Sequence, residues 1–322
     1  MLVFSLALVV GLVILIWSAD RFVEGAVSTA LNLGMTPMLV GLTVVAFGTS
    51  APELIVSGMA ALQGSSNLAV GNAVGSNIAN IALVLGLTTL FSAIPIKLGI
   101  LKVELPTLLI ATALATLVIM DGTVTFDDGL ILIGLLIISL IVLAKLSTSS
   151  QELPEEIEAV DGMSPLKAYT YLAISLVALI LSSRMLVWGA TGIAIELGVS
   201  DLIIGLTIVA IGTSLPELAA SIASALKGHH DLALGNIIGS NLFNLLAVLA
   251  IPAFIAPPII DQESLFRDYG FMLVLTVGLA LLCLINHLNK SEQIGKIAGI
   301  TLLSSYIGYL VILYLDSVTA LA

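Results

Sequence analysis

The chain carries ten apolar runs of membrane-crossing length, at 2–31, 37–62, 68–93, 103–120, 129–146, 168–195, 202–226, 232–257, 269–287 and 296–315. A helix needs about 20 mostly apolar residues to cross a bilayer. Within lipid only helices and closed barrels satisfy every backbone N–H and C=O. A barrel strand would alternate apolar and polar residues over about 10 positions, and these runs do not alternate. The expected fold class is therefore an all-α integral membrane protein of ten transmembrane helices. Composition supports this, with 59% hydrophobic and only 10% charged residues. A soluble domain uses about 25% charged residues to cover its surface. A net charge of −11 argues against nucleic acid as a partner, and a single cysteine excludes a disulfide scaffold. The expected partner for most of the surface is the lipid bilayer.

No lysine or arginine precedes the first run, so it reads as an uncleaved helix rather than a signal peptide. If the N-terminus lies outside, Lys97, Lys102, Lys145, Lys167, Lys227, Lys290 and Lys296 all fall at the cytoplasmic ends of helices or in cytoplasmic loops, and only Arg267 falls outside. That bias follows the positive-inside rule. It predicts a protein of the cell (inner) membrane with both termini outside. Residues 147–166 contain Glu152, Glu155, Glu156, Glu158 and Asp161 and read as an acidic cytoplasmic linker, a solvated hinge. It separates a first five-helix half, 1–146, from a second, 167–322.

Residues 41–86 align with 205–250 without a gap, and 25 of the 46 positions are identical. GLTVVAFGTSAPEL matches GLTIVAIGTSLPEL, and LAVGNAVGSNIAN matches LALGNIIGSNLFN. The copies begin on the second and seventh runs, an odd number of crossings apart. They therefore traverse the membrane in opposite directions, as two inverted-topology five-helix repeats. Transporters built this way hold their substrates near the midplane, where the repeats meet.

Glu53 and Glu217 fall near the middle of their runs. A carboxylate at the bilayer centre costs about 2.5–3.5 kcal/mol by insertion scales. No lysine or arginine occurs in the four repeat helices, so a cation or proton from outside the chain is expected to compensate. Pro52 removes a backbone donor and crowds the carbonyl of Gly48. Carbonyls around Ala46 to Thr49, and around Ala210 to Thr213, are thereby freed to face an ion. Thr49, Ser50, Thr213 and Ser214 add hydroxyls, and the following helices bring Ser76, Asn80, Ser240 and Asn244. Ser76 and Asn80 are spaced i,i+4 and share a helix face. These candidate ligands are all oxygens, the set preferred by hard cations such as Ca²⁺ and Na⁺. Zinc or copper would want histidine or cysteine. No resident cofactor is implied; the ions are cargo. Two carboxylates neutralise one Ca²⁺ or accompany several Na⁺, and protons compete for the same groups. The glycines of GNAVGSN and GNIIGSN let helices approach closely.

The paired GTSAPE/GTSLPE and GNAVGSN/GNIIGSN motifs resemble the two α-repeats of the cation/Ca²⁺ exchanger superfamily, which includes the Na⁺/Ca²⁺ exchangers. The whole chain resembles its short prokaryotic YrbG-type branch. The resemblance implies that Glu53 and Glu217 hold a central Ca²⁺ with backbone oxygens of Thr49 and Thr213. Ser50, Ser76, Ser214 and Ser240, with the carbonyls of Ala46 and Ala210, would complete flanking Na⁺ sites. Asn80 and Asn244 would line the middle. Some exchangers pair an Asn with an Asp at those last two positions, whereas here both are Asn, so the counter-ion and the ion ratio stay open. The expected activity is Ca²⁺/Na⁺ antiport by alternating access, with Ca²⁺/H⁺ exchange as the alternative and a passive channel as a different class. A channel filter usually needs oligomeric symmetry; this chain builds its site from its own halves and is expected to work as a monomer. No nucleophile–base pair or metal triad suggests an enzyme.

Asp20 and Arg184 occupy equivalent positions of the two halves and are expected to approach each other or to reach polar surroundings separately. His229 and His230 read as loop residues beside Asp231, and Cys283 as packing.

Overall fold

The computed structural model describes residues 1–146, 163–198, 210–260 and 265–319. Residues 147–162 of the acidic linker and 202–209 of the seventh apolar run lie outside the described residues. The described chain is almost entirely helical. In order come α1 (Leu2–Leu33), α2 (Pro37–Thr49), α3 (Ala51–Leu62), α4 (Ser66–Phe91), α5 (Ile100–Ile119) and α6 (Phe126–Leu146). The second half supplies α7 (Pro165–Glu196), α8 (Ala210–Thr213), α9 (Leu215–Leu226), α10 (His230–Ile255), α11 (Leu265–Leu288) and α12 (Lys296–Thr319).

Among the described residues, eight of these helices are long and apolar enough to cross a membrane. The pair α2–α3, bent by 41°, makes a ninth if it is one span. Of the expected run 202–226, the described part is α8 and α9.

Burial separates the helices into a centre and a shell. The most apolar stretches of α4 and α10 are 72% and 89% buried, against 28% for α1 and α7 and 22% for α12. A helix buried all round is a core element, so the two helices carrying GNAVGSN and GNIIGSN form the centre. The shell turns leucine, isoleucine and valine outward, as at Leu6, Val13, Ile174 and Val274. α1 and α7 are antiparallel partners with their own apolar cluster around Leu15, Phe22 and Leu179.

Short pairings tie the loops together. Ile94–Pro95 (β1) runs antiparallel to Gln293–Ile294 (β2), with Pro95 opposite Gln293. Ile259, 164 residues beyond Pro95, makes a bridge to Thr123. Lys97 forms an ion pair with Asp231 at 2.5 Å. Lys227 reaches α1, with its Nζ 2.6 Å from Asp20 and 3.2 Å from Glu24.

Asp20 thus pairs with Lys227, and of the two alternatives held open for Asp20 and Arg184 their mutual approach does not occur. The antiparallel register explains this. Gly25 packs against Leu172, so Asp20 is level with Val177. At 1.5 Å of rise per residue, Arg184 lies about 10 Å further along the axis. Equivalent positions of oppositely oriented helices fall at mirrored depths, and these two miss each other.

Candidate functional site

The break between α2 and α3 is set by sequence. Pro52 stands in the first turn of α3 and has no N–H to offer the preceding turn. Ser50 leaves helical geometry with ψ near 3°, and Ser214 does the same between α8 and α9 with ψ near 7°. Each break is followed three residues later by a glutamate in the first helical turn, Glu53 or Glu217. The central helices are irregular at matching places. α4 winds into a π-helical turn over Ala79–Leu85, and α10 does so over Asn244–Val248. Such turns redirect side chains and are frequent at functional sites.

Glu53 and Glu217 have no exposed surface, and their carboxylates are close enough to interact electrostatically. One oxygen of Glu217 accepts a hydrogen bond from Ser50 Oγ at 3.1 Å, so the serine of one motif serves the acid of the other. The other oxygen of Glu217 and both oxygens of Glu53 have no partner among the described residues. The same holds for Ser214 Oγ and for both amide atoms of Asn80 and of Asn244, all of them buried. Orphaned buried polar atoms are rare, because each costs about 1–3 kcal/mol. Here they gather at the two motifs. Among the described residues no three histidine, cysteine or acidic side chains come together, so the cluster is two acids surrounded by neutral oxygen and amide groups.

The other expected residues are placed as follows. Thr49 is fully buried and donates to Asn236 Oδ1 at 3.1 Å, with Ser240 Oγ 3.5 Å away. Ser50, Ser76, Ser240 and Ala46 are buried. Thr213 is half-buried and lines, with Ser76, a cavity of about 400 Å³. Ala210 begins α8.

Two further pairs hold the glutamates, and neither was singled out from sequence. Asn72 Nδ2 donates to the Glu53 carbonyl at 3.2 Å and to Ser57 Oγ at 3.0 Å. Asn236 Nδ2 repeats this with the Glu217 carbonyl at 3.4 Å and Ser221 Oγ at 3.0 Å. The signal was available: Asn72, Ser76 and Asn80 form one i,i+4,i+8 row, as do Asn236, Ser240 and Asn244. Ser183 was also missed. Its hydroxyl donates to the Gly212 carbonyl at 2.7 Å, the carbonyl that Pro216, four residues on, cannot engage.

Helix and site together define an all-helical, multi-pass membrane protein with an oxygen-rich polar cluster at its core. The chain matches the sodium/calcium exchanger protein family over residues 3–145 and 167–315, and it belongs to that family, whose members are transporters and not enzymes. It is 47% identical over 319 residues to the protein CaxA of Alkalimonas amylolytica, covering 98% of this chain and 99% of that one. It is 40% identical over 327 residues to the inner membrane protein YrbG of Escherichia coli (strain K12), covering 98% of each. Among solved structures it resembles the sodium-calcium exchanger NCX_Mj with a TM-score of 0.81 at 31% identity, covering 95% of this chain and 97% of that one.

Proposed function

We propose that the protein is a secondary antiporter that exchanges Ca²⁺ for Na⁺ by alternating access, through ten helices arranged as two inverted five-helix repeats. The observation that carries this reading is the pair of fully buried glutamates, three of whose four carboxylate oxygens have no partner among the described residues. Two such charges in a membrane core need a compensating cation. The buried hydroxyls, amides and main-chain carbonyls around them offer oxygen to a hard ion. We assign Glu53 and Glu217 to the central cation with Thr49 and Thr213. Ser50, Ser76, Ser214, Ser240, Ala46 and Ala210 take the flanking positions, with Asn80 and Asn244 between. Exchange follows from competition, since one set of oxygens serves either one divalent ion or monovalent ions of similar total charge. The relatives agree in kind: NCX_Mj is described as a sodium-calcium exchanger. So is MaX1 of Methanosarcina acetivorans, 29% identical over 348 residues. Orientation with both termini outside is supported by the placement of lysines, and an inner-membrane location by the likeness to YrbG.

A second reading, Ca²⁺/H⁺ exchange, follows from the same two buried acids, which protons can occupy in place of a cation. Asn80 and Asn244 are both amides, so among the described residues the cluster offers no third acid. Ca²⁺ uptake into proteoliposomes under separately imposed Na⁺ and H⁺ gradients decides between them. The first reading predicts uptake driven by an outward Na⁺ gradient at equal pH. Uptake that follows only the pH gradient would replace Na⁺ by H⁺ as the counter-ion. Uptake needing neither gradient would indicate a passive path.

A further inference from the structure

Arg184 is the twentieth of the 32 residues of α7. It lies close to mid-span, where an ionisable side chain is costly and ordinarily pairs or faces a water-filled cavity, and its side chain is exposed, not buried within the bundle. Arg184 makes no hydrogen bond or ion pair with any described residue. It lines a cavity of about 330 Å³ whose wall also includes Pro52, Gly212 and Thr213, the broken segments of both motifs. Its neighbour Ser183 is buried and bonded to the Gly212 carbonyl, which fixes this part of α7 against the break beside Thr213. The first half has no such arrangement. The equivalent residues are Ala19, with no hydroxyl, and Asp20, of opposite charge and held by Lys227. A feature confined to one half is not demanded by the packing that both halves share.

We propose that Arg184 tunes the affinity of the site for cations: its positive charge, on the wall of the cavity that Thr213 also lines, weakens cation binding in proportion to the charge of each ion. The proposal rests on the reading that Glu53 and Glu217 hold the transported ions. The physical basis is Coulombic. At a given position the repulsion felt by a divalent ion is twice that felt by a monovalent ion. If the charge weakens Na⁺ binding by some factor, it weakens Ca²⁺ binding by the square of that factor. Arg184 therefore lowers the affinity for Ca²⁺ more than that for any single Na⁺ and keeps Ca²⁺ loosely enough bound to be released.

Equilibrium binding of ⁴⁵Ca²⁺ to the purified full-length protein, with Na⁺ as competitor, tests this. Two neutral variants, Arg184→Gln and Arg184→Met, are compared with the charge-retaining Arg184→Lys. Across a hydrated cavity the neutral variants are expected to bind Ca²⁺ about tenfold and Na⁺ about threefold more tightly than wild type. Arg184→Lys is expected to match wild type. The proposal is overturned if the neutral variants bind both ions as wild type does, if both ions gain equally, or if Arg184→Lys changes as they do. Glu53→Gln and Glu217→Gln run in the same assay separate the two levels. Ca²⁺ binding unaffected by the glutamate substitutions would sink the site reading itself. Binding lost in them but unchanged by neutralising Arg184 would sink this inference alone.

Discussion

At the scale of single residues, the acids are legible in sequence and their supports are not. Glu53 and Glu217 stand out because a carboxylate amid apolar residues is costly and occurs twice in the same motif. Asn72 and Asn236 are ordinary-looking amides until the fold places each against the backbone of its glutamate. Asn236 is the more heavily engaged, being buried and also accepting from Thr49. Asn236→Ala is expected to cost about 1–3 kcal/mol, because it strands buried partners. Asn72→Ala, at a half-buried position, should cost less, and thermal unfolding in detergent ranks the two. His229 lies in the loop between α9 and α10. Burial, with Lys227 and His230 beside it, holds its imidazole below the ordinary histidine value. The unfolded chain therefore takes up the proton first, and stability falls as pH drops below about 6.5. Melting temperatures between pH 7.5 and 5.5 should decline less steeply for His229→Gln than for wild type; identical slopes would remove His229 as a contributor.

Among elements, the close approach of the central helices to their neighbours rests on motif glycines. A Cβ added at Gly239 would fall 2.5 Å from the Leu42 carbonyl oxygen and 2.6 Å from Ala46 Cβ, so α2 and α10 touch nearly backbone to backbone. Gly75 is its counterpart in α4 and borders the cavity shared by Ser76 and Thr213. Gly239→Ala should destabilise the fold by about 1–3 kcal/mol through overpacking, read as a lower melting temperature in detergent. Eight of the apolar runs match described membrane-length helices to within a few residues, because lipid exposure writes long hydrophobic stretches. The bend between α2 and α3 was also legible, from Pro52. The pairing of Asp20 with Lys227 was not, since it depends on the register of α1 against α7 and the level at which α9 ends.

Viewed whole, the protein inverts the usual relation between polarity and depth. Buried serines and asparagines lie on α4 and α10 at the centre, while the shell turns apolar side chains outward, suited to lipid. Such a molecule is stable only if the central acids are compensated, by a bound cation or by protons. The central claim is that Glu53 and Glu217 together bind the transported cation. The most direct test is Ca²⁺ flux in proteoliposomes for Glu53→Gln and for Glu217→Gln under a fixed Na⁺ gradient, with melting temperature measured on the same preparations. Each substitution keeps the side-chain size and removes one of the two opposing charges. The account predicts a loss of Ca²⁺ flux to background in both variants, with folding retained. Flux at the wild-type rate in either variant would contradict it.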